Sequence, residues 1–247
     1  MTNQKQLSQS IEQKMMELFA VNKPFTQNLS KWQDDGLKDK YDHNYFEYSA
    51  QPSEEEFQKA LAYQKERGDN FIKLEGNFPL KSSFGIEEGI TLTMALKEDR
   101  PEWKTNPDVR IAVPTIEELE EIEGKHYGEI YGRDFTVRNI RHNYEKLNYI
   151  GAYLEERLVG VCYYFVDGGA ACFDGLLVDT DYRSKYIATT IIEEVVKRTQ
   201  GNALFLHADA DDTPKEMYEK MGFEVVDRVY EYCCSNLNEM LINQRER

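Results

Sequence analysis

The chain has 247 residues, 40% of them hydrophobic, and its 30 basic and 45 acidic side chains give a net charge of −15. This length suits one large domain or two small ones, and 16 Tyr with 12 Phe argue against a disordered chain. The acidity argues against a nucleic-acid-binding protein, which needs a basic face. No apolar run approaches the roughly 18 residues of a membrane span, and the first residues lead into no apolar signal segment.

The four cysteines are Cys162, Cys172, Cys233 and Cys234. They lie in strand-like segments, form no CxxC pair, and have no histidine at the spacing of a zinc site. We therefore expect reduced thiols, no metal site and a cytoplasmic location.

The first 106 residues are predicted to form a smaller α/β domain. Capping boxes at 10–13 and 53–56 each predict the start of a helix, and Gly68 ends the second one. Alternation of apolar and polar residues predicts the strands. In chain order we expect a helix with an apolar stripe over 11–19, a polar loop over 22–42, a strand over 44–48, a helix over 54–67, and strands over 71–75 and 90–96.

A charged segment without periodicity follows these elements. Residues 97–108 contain Pro101 and Pro107 and show neither a helical nor a strand pattern. We interpret the segment as a linker and divide the chain into domains at 1–106 and 107–247.

The second half is predicted to be an α+β domain. The pair Thr115 and Glu118 predicts a helix start, and residues 155–157 predict a hairpin turn. In chain order we expect a strand over 109–114, helices over 116–130 and 137–147, strands over 149–154, 158–165 and 171–178, a helix from 187, a strand over 203–207, a helix over 214–220, and a strand from 223.

An anion site is predicted where the strand over 171–178 leads through a loop into the next helix. The first N–H groups of a helix have no intrahelical partner and carry partial positive charge, which suits a phosphate or pyrophosphate. Arg183 adds a cation at the mouth of the loop. Since every βαβ unit has such a loop and most of them bind nothing, this loop by itself leaves both interpretations open.

The spacing around this loop resembles the GNAT (GCN5-related) N-acetyltransferase family. The residues that carry the resemblance are Leu176, Val178, Arg183, Ile187, Ala188, Tyr218, Gly222 and Phe223. The order of predicted elements over about 109–235 also matches, while Tyr186 stands where the family usually has glycine. The resemblance implies a GNAT acyl-CoA N-acyltransferase fold, an α+β fold with a mixed central sheet flanked by helices.

The resemblance further implies acetyl-CoA as cosubstrate and a primary amine of a small molecule or peptide as acceptor. The loop implied to bind the pyrophosphate of acetyl-CoA consists of Arg183, Ser184, Lys185, Tyr186, Ile187, Ala188 and Thr189. Backbone N–H groups of Leu176, Leu177 and Val178 are implied to face the thioester carbonyl. Asp211 stands where many relatives carry Asn, and it either orients the pantetheine or caps the next helix.

Two side chains are candidates for proton transfer. Tyr218 is implied to protonate the sulfur of CoA, since a phenol stays protonated at neutral pH; without the resemblance it would be a core residue. Asp174 is either a general base acting through water or a solvent-facing carboxylate. Weaker candidates for a base or for substrate contacts are His126, Glu129, Tyr131 and Asp134.

Two classes of function stay open at this point. The first is an active N-acetyltransferase, for which the acidity of the chain either steers a cationic amine or only aids solubility. The second is a non-catalytic GNAT-like module that binds CoA or a protein partner. Residues 44–97 are interpreted as a degenerate partial repeat of the fold without a cofactor, and the strand at 230–234 as a candidate homodimer edge. We expect neither nucleic acid nor a membrane as partner.

Overall fold

The computed structural model describes residues 3–82, 84–211 and 214–237. Its helices are α1 (Asn3–Met16), α2 (Glu54–Arg67), α3 (Ile116–Tyr127), α4 (Arg133–Tyr144), α5 (Ile187–Arg198) and α6 (Pro214–Lys220). Its strands are β1 (Val21–Pro24), β2 (Leu29–Gln33), β3 (Phe46–Tyr48), β4 (Ile72–Gly76), β5 (Glu87–Leu96), β6 (Arg110–Ala112), β7 (Asn148–Leu154), β8 (Arg157–Asp167), β9 (Ala170–Val178), β10 (Ala203–Asp209) and β11 (Phe223–Cys234). The predicted α+β class is confirmed.

The chain divides into two compact units whose segments alternate along the sequence. The first unit consists of Met1–Met15, Thr93–His207 and Glu216–Val226, and the second of Met16–Leu92, Ala208–Lys215 and Asp227–Arg247. These units are defined by contacts between residues and interleave along the chain. The predicted division into two domains at residues 106 and 107 is a single cut in the sequence, and it stays a prediction.

A mixed sheet forms the centre of the first unit. Its strands lie in the order β11, β5, β10, β9, β8, β7, β6, where β11 contributes residues 223–226 and β5 contributes residues 93–96. Strands β9 and β10 are parallel, while β6 to β9 form successive antiparallel pairs. The helices and strands predicted from residue 109 onward occur in the predicted order.

Local sequence signals explain how several of these elements begin and turn. The predicted capping box is present at α3, where Thr115 Oγ1 accepts from Glu118 N at 3.2 Å and Glu118 Oε2 accepts from Thr115 N at 2.8 Å. Glu155 and Glu156, with φ of 49° and 63°, form the two-residue turn between β7 and β8. Two successive positive φ values suit the twist of a tight hairpin.

The second unit contains strand segments of the mixed sheet and has a core of its own. Its strands lie in the order β1, β2, β3, β4, β11, β5, with residues 227–234 of β11 and 87–92 of β5. Helix α2 contributes buried Phe57 and Leu61, which pack with Phe46, Leu74 and Tyr232. This apolar cluster gives the unit a core of its own.

The strand at 230–234 is not a free edge, so the reason given for a homodimer through it is wrong. It pairs antiparallel with β4, from Tyr230 opposite Gly76 to Cys234 opposite Ile72. Strand β5 is its neighbour on the other side. Because both backbone edges are hydrogen-bonded within the chain, this strand offers no ladder to a second copy.

The predicted loop over 22–42 is partly wrong, because it contains the antiparallel strands β1 and β2. The strands were missed because the segment is polar and shows no apolar pattern. Lys31 in β2 is nevertheless only 3% exposed, and its ammonium donates to Asn44 O at 2.7 Å and Gln64 Oε1 at 3.0 Å. The helix start predicted at 10–13 is also wrong, since α1 already begins at Asn3 and Ser10 lies inside it.

Residues 97–108 contain neither helix nor strand, as predicted, but they are held firmly within the first unit. Lys97 N donates to Gly222 O at 3.1 Å, and Trp103 Nε1 donates to Met221 O at 2.9 Å. Arg100 forms an ion pair with Glu193 on α5 at 2.9 Å. The segment therefore packs along α5 and the end of α6 and is not a flexible linker.

None of the helices in the part of the chain that the structure describes has the length and apolar character needed to span a bilayer.

Glu56 connects the start of α2 to the turn before β2. Besides closing the capping box on Ser53 N at 2.9 Å, its carboxylate accepts from Asn28 N at 3.0 Å, Asn28 Nδ2 at 2.9 Å and Thr26 Oγ1 at 2.7 Å. Burial acts to raise the pKa of Glu56, but these hydrogen bonds outweigh it and lower the pKa to about 2.

We expect Glu56→Ala to lower the free energy of unfolding by roughly 2–4 kcal/mol at pH 7, because several hydrogen bonds to a charged group are lost together. The control Glu54→Ala, an exposed carboxylate in the same helical turn, should cost less than about 1 kcal/mol. Urea denaturation measures both. Since the pKa is lowered in the folded state, the Glu56 contribution is full above the ordinary pKa of 4.5 and is lost as the pH falls toward about 2. Equal losses for the two variants would contradict this role.

Candidate active site

Strands β9 and β10 are paired over only part of their length. Their ladder runs from Ala170 opposite Ala203 to Phe173 opposite Leu206. Strand β9 then continues to Val178 and β10 to Asp209 without further register partners across the two strands. The two central strands of the first unit therefore separate beyond Phe173 and Leu206.

A bulge in β9 marks the point of separation. Gly175 and Leu176 lie opposite the single residue Cys162 of β8, because the register shifts between Val161 and Tyr163. Gly175 has φ of 64°, and a Cβ there would lie 2.5 Å from Tyr163 Cε1. Glycine is therefore required both by the backbone and by the ring, and the bulge changes the direction of β9 where pairing with β10 stops.

The three strand residues predicted to face the thioester follow this bulge. Leu177 pairs with Val161 and Val178 pairs with Gly160, both on the β8 side. In an antiparallel strand, alternate N–H groups point to opposite neighbours. On the β10 side, where pairing has ended, the N–H groups of this segment are available to a ligand.

The loop before α5 has the conformation of an anion-binding turn. Ser184 and Tyr186 have φ of 61° and 57°, and the first helical bond is donated by Thr190 N to Tyr186 O at 3.0 Å. The N–H groups of Ile187, Ala188 and Thr189 therefore have no intrahelical partner. The first turn of α5 carries no acidic side chain, so nothing there opposes an anion.

Tyr186 adopts the left-handed conformation expected of the glycine that the family usually has there. Its φ and ψ are 57° and 22°. The side chain is 45% exposed, and the Lys104 ammonium lies 4.5 Å from the ring centroid. The tyrosine therefore preserves the backbone path and directs its ring to the protein surface.

Asp179, a residue not predicted from the sequence, holds the start of the loop in place through its hydrogen bonds. This carboxylate is 2% exposed and accepts from Lys125 Nζ at 3.0 and 2.9 Å, and its backbone N donates to Val159 O at 2.9 Å. Burial acts to raise the pKa of Asp179, but the hydrogen bonds from Lys125 and from Asp181 N, together with the positive charge of Lys125, outweigh burial and lower the pKa. The sequence does offer a signal for this residue, because an Asp directly after a strand is typical of a turn. In the structure Asp179 Oδ1 accepts from Asp181 N within such a turn.

Tyr218 lies beside the point where β9 and β10 separate. Its side chain is 7% exposed, and its ring packs on Phe173 and Phe223 at centroid distances of 6.3 and 5.8 Å. Burial raises its pKa well above the ordinary value of 10, and the charge of Asp174 raises it further. The hydroxyl has no hydrogen-bond partner among the described residues, so it is a protonated donor available to a ligand.

Asp174 is half-buried on β9, directly before the bulge. Its Cα partner on β8 is Tyr163, which in turn is opposite Tyr149 on β7. Gly175 N donates to Asp174 Oδ1 at 2.6 Å, and no Lys, Arg or His of the described chain forms an ion pair with it. A carboxylate without a cation among buried tyrosines is suited to bind an ammonium group and accept its proton.

The remaining candidates are Asp211 and several side chains on α3, on α4 and between these helices. Asp211 belongs to the second unit, where it is exposed and its N donates to Asp209 Oδ1 at 2.8 Å. Thr213 before Pro214 is the pattern of a helix N-cap, but Thr213 lies outside the described residues. Burial lowers the pKa of His126, whose buried Nε2 has no hydrogen-bond partner among the described residues. Glu129 and Tyr131 are exposed between α3 and α4, and Asp134 is exposed in the first turn of α4.

This arrangement defines a fold class: a mixed sheet whose parallel central strands separate next to a helix whose first N–H groups have no intrahelical partner. Comparison with known proteins agrees. Residues 125–225 match the sequence model of the acetyltransferase (GNAT) domain, so the resemblance to the GNAT family is confirmed for this segment. A search of the curated proteins finds no match.

Solved structures show the same fold. A functionally unknown conserved protein from Staphylococcus epidermidis aligns with a TM-score of 0.72 at 16% identity, covering 88% of this chain and 94% of its own. A GCN5-related N-acetyltransferase from Kribbella flavida aligns with a TM-score of 0.64 at 11% identity, covering 94% and 95%. A tandem GNAT protein from the clavulanic acid biosynthesis pathway has a TM-score of 0.51 at 12% identity, covering 83% and 78%. At these identities the likeness concerns the fold.

A pair of substitutions tests the glycine-like backbone at Tyr186. Tyr186→Gly and Tyr186→Ala both remove the ring, but only glycine relieves the left-handed strain. We expect the glycine variant to have a free energy of unfolding about 1 kcal/mol higher than the alanine variant. Urea denaturation measures the difference, and an alanine variant as stable as the glycine variant would show that this position carries no such strain.

Proposed function

We propose that the protein is an acetyl-CoA-dependent N-acetyltransferase that acts on a primary amine of a small molecule or peptide by direct attack. The observation that carries the proposal is the separation of β9 from β10 immediately ahead of the anion-binding start of α5. A ligand with a long polar arm and a pyrophosphate matches both features at once.

The residues present fit acetyl-CoA. Arg183 and the free N–H groups at the start of α5 supply donors for the pyrophosphate, and the φ of 61° at Ser184 and 57° at Tyr186 bends the loop around that point. The unpaired edge of β9 supplies N–H groups for the amides and the thioester of the arm. When bound, acetyl-CoA supplies the activated acetyl group.

In this proposal the chain's own residues move two protons. Asp174 holds the acceptor as an ammonium ion and takes its proton, directly or through water, so that the neutral amine can attack. Tyr218 donates a proton to the departing sulfur; its raised pKa keeps the phenol protonated, and its hydroxyl has no hydrogen-bond partner among the described residues. Those backbone N–H groups of Leu176, Leu177 and Val178 that point toward the β10 side stabilise the oxygen that becomes negative.

The proposal includes a cytoplasmic location and a degenerate repeat in the first half of the chain. The four cysteines are free thiols, which supports a reducing, cytoplasmic location. The tandem GNAT relative has a TM-score of 0.51 with this chain, which supports the view that residues 44–97 are a degenerate repeat. The alternative, a non-catalytic CoA-binding module, would bind acetyl-CoA without releasing thiol in the presence of amines.

Thermal stabilisation by acetyl-CoA tests binding first. A ligand that binds only the folded state raises stability by about 2.7 kcal/mol at one hundred times its Kd, so a clear rise in Tm is expected at millimolar acetyl-CoA. No rise in Tm would argue against the proposed function.

Tyr218→Phe should lower kcat by roughly 10²- to 10⁴-fold, because the proton donor is lost. Acetyl-CoA affinity should be nearly unchanged, since the ring and its packing are kept. Because the pKa of Tyr218 is raised, the wild-type kcat should show no alkaline loss from this residue below about pH 10. Thiol release over pH 6–10 measures both effects, and wild-type turnover in the variant would remove the role of acid.

Asp174→Asn should lower kcat/KM for the amine by roughly 10²- to 10⁴-fold while leaving the acetyl-CoA-dependent rise in Tm intact. Asp167→Asn is the matched control, because Asp167 is an exposed carboxylate on the neighbouring strand β8. If the two variants keep the same kcat/KM, then Asp174 is not the base.

A further inference from the structure

Positive charge concentrates beside the start of α5, although the chain as a whole has a net charge of −15. Lys104, Arg183 and Lys185 are all exposed there. Within the described ranges, none of the three forms an ion pair with a carboxylate, whereas Lys125 and Arg157 nearby are both paired with Asp179. Three unpaired cations in an acidic protein point to an anionic ligand.

Two aromatic rings lie among these cations. The Lys104 ammonium is 4.5 Å from the centroid of Tyr186, and the Lys185 ammonium is 4.7 Å from the centroid of Tyr182. The Tyr186 ring is 45% exposed. An exposed ring beside a cation, as at Tyr186, suits a nucleotide, because a base stacks on the ring while the cation binds a phosphate.

Lys104 is fixed in place although it lies outside the segment that matches the GNAT domain. Thr189 Oγ1 donates to Lys104 O at 2.7 Å, and two residues later Asn106 N donates to Thr190 Oγ1 at 2.9 Å. Asn106 Nδ2 also donates to Lys185 O at 3.0 Å. The segment 104–106 is therefore tied directly to the loop, and the Lys104 side chain is held beside Tyr186.

We propose that Lys104 and Tyr186 form a subsite for the 3′-phosphoadenosine end of CoA, with Lys104 binding the 3′-phosphate and the Tyr186 ring stacking on the adenine. This inference rests on the proposed function, in which the pyrophosphate lies at residues 183–189. The arm enters the gap between β9 and β10, so the nucleotide end leaves the loop on the opposite, exposed side. Tyr186 then adds a ring for the adenine to stack on, while its backbone keeps the left-handed conformation of the glycine that it replaces.

Calorimetric titration with CoA and with dephospho-CoA tests the subsite by binding alone. These ligands differ only in the 3′-phosphate. We expect the wild-type protein at low salt to bind CoA about three- to fivefold more tightly than dephospho-CoA, the range of one exposed ion pair. Lys104→Ala should bind both ligands equally, because the partner of the 3′-phosphate is gone.

Two controls separate this subsite from general charge and from folding. Lys197→Ala removes an exposed lysine near the end of α5 and should keep the wild-type preference for CoA. Tyr186→Phe should keep the affinity for dephospho-CoA, whereas Tyr186→Ala should weaken it several-fold because the stacking surface is lost. An unchanged Tm for each free variant excludes unfolding as the cause.

The outcomes distinguish failure of the proposed function from failure of the subsite alone. If the wild-type protein binds neither ligand, the proposed function fails and this inference fails with it. If it binds both ligands but Lys104→Ala keeps the preference for CoA, or if no preference exists, only the subsite is wrong. Loss of the preference in Lys104→Ala alone, with the expected order of the Tyr186 variants, establishes it.

Discussion

The separation of β9 from β10 beyond Phe173 and Leu206 is the constraint on which the site depends. A buried backbone group without a partner costs roughly 1–3 kcal/mol, so a sheet does not give up pairing at its centre without compensation. Here the bulge at Gly175 and the Tyr163 ring against it keep β9 away from its neighbour. The open edge that results is the feature that a polar, extended ligand can use.

The loop next to this opening is held from two sides. Asp179 binds it to Lys125 of α3, and Asn106 binds it to the segment that precedes β6. Arg183, Ser184, Lys185 and Tyr186 themselves make few side-chain bonds to the rest of the chain. Because its flanks are fixed, the loop can hold two residues at positive φ and keep its first helical N–H groups free for a ligand.

The second unit shows how polar side chains can be part of a core. Lys73 is 4% exposed, and its ammonium lies 2.7 Å from Asp42, 2.6 Å from Glu75 and 3.0 Å from Glu231. Burial raises the pKa of Glu75 to about 7, although Lys73 opposes the rise. Lys73 depends on these carboxylates, because its ammonium alone would be a buried charge without a partner.

By itself, the sequence determined the elements whose signals are local. The helix starts at Ser53 and Thr115, the turn at Glu155-Glu156 and the strand alternation from residue 109 onward depend on neighbours within a few residues, and so does the loop motif from Arg183 to Thr189. Only the tertiary structure decided which strands pair, where β9 and β10 part, that Lys31 and Lys73 are buried, that β11 is covered on both edges, and that Lys104 lies against Tyr186. These depend on partners far apart in the chain, and a residue's polarity does not reveal a partner that folding brings to it.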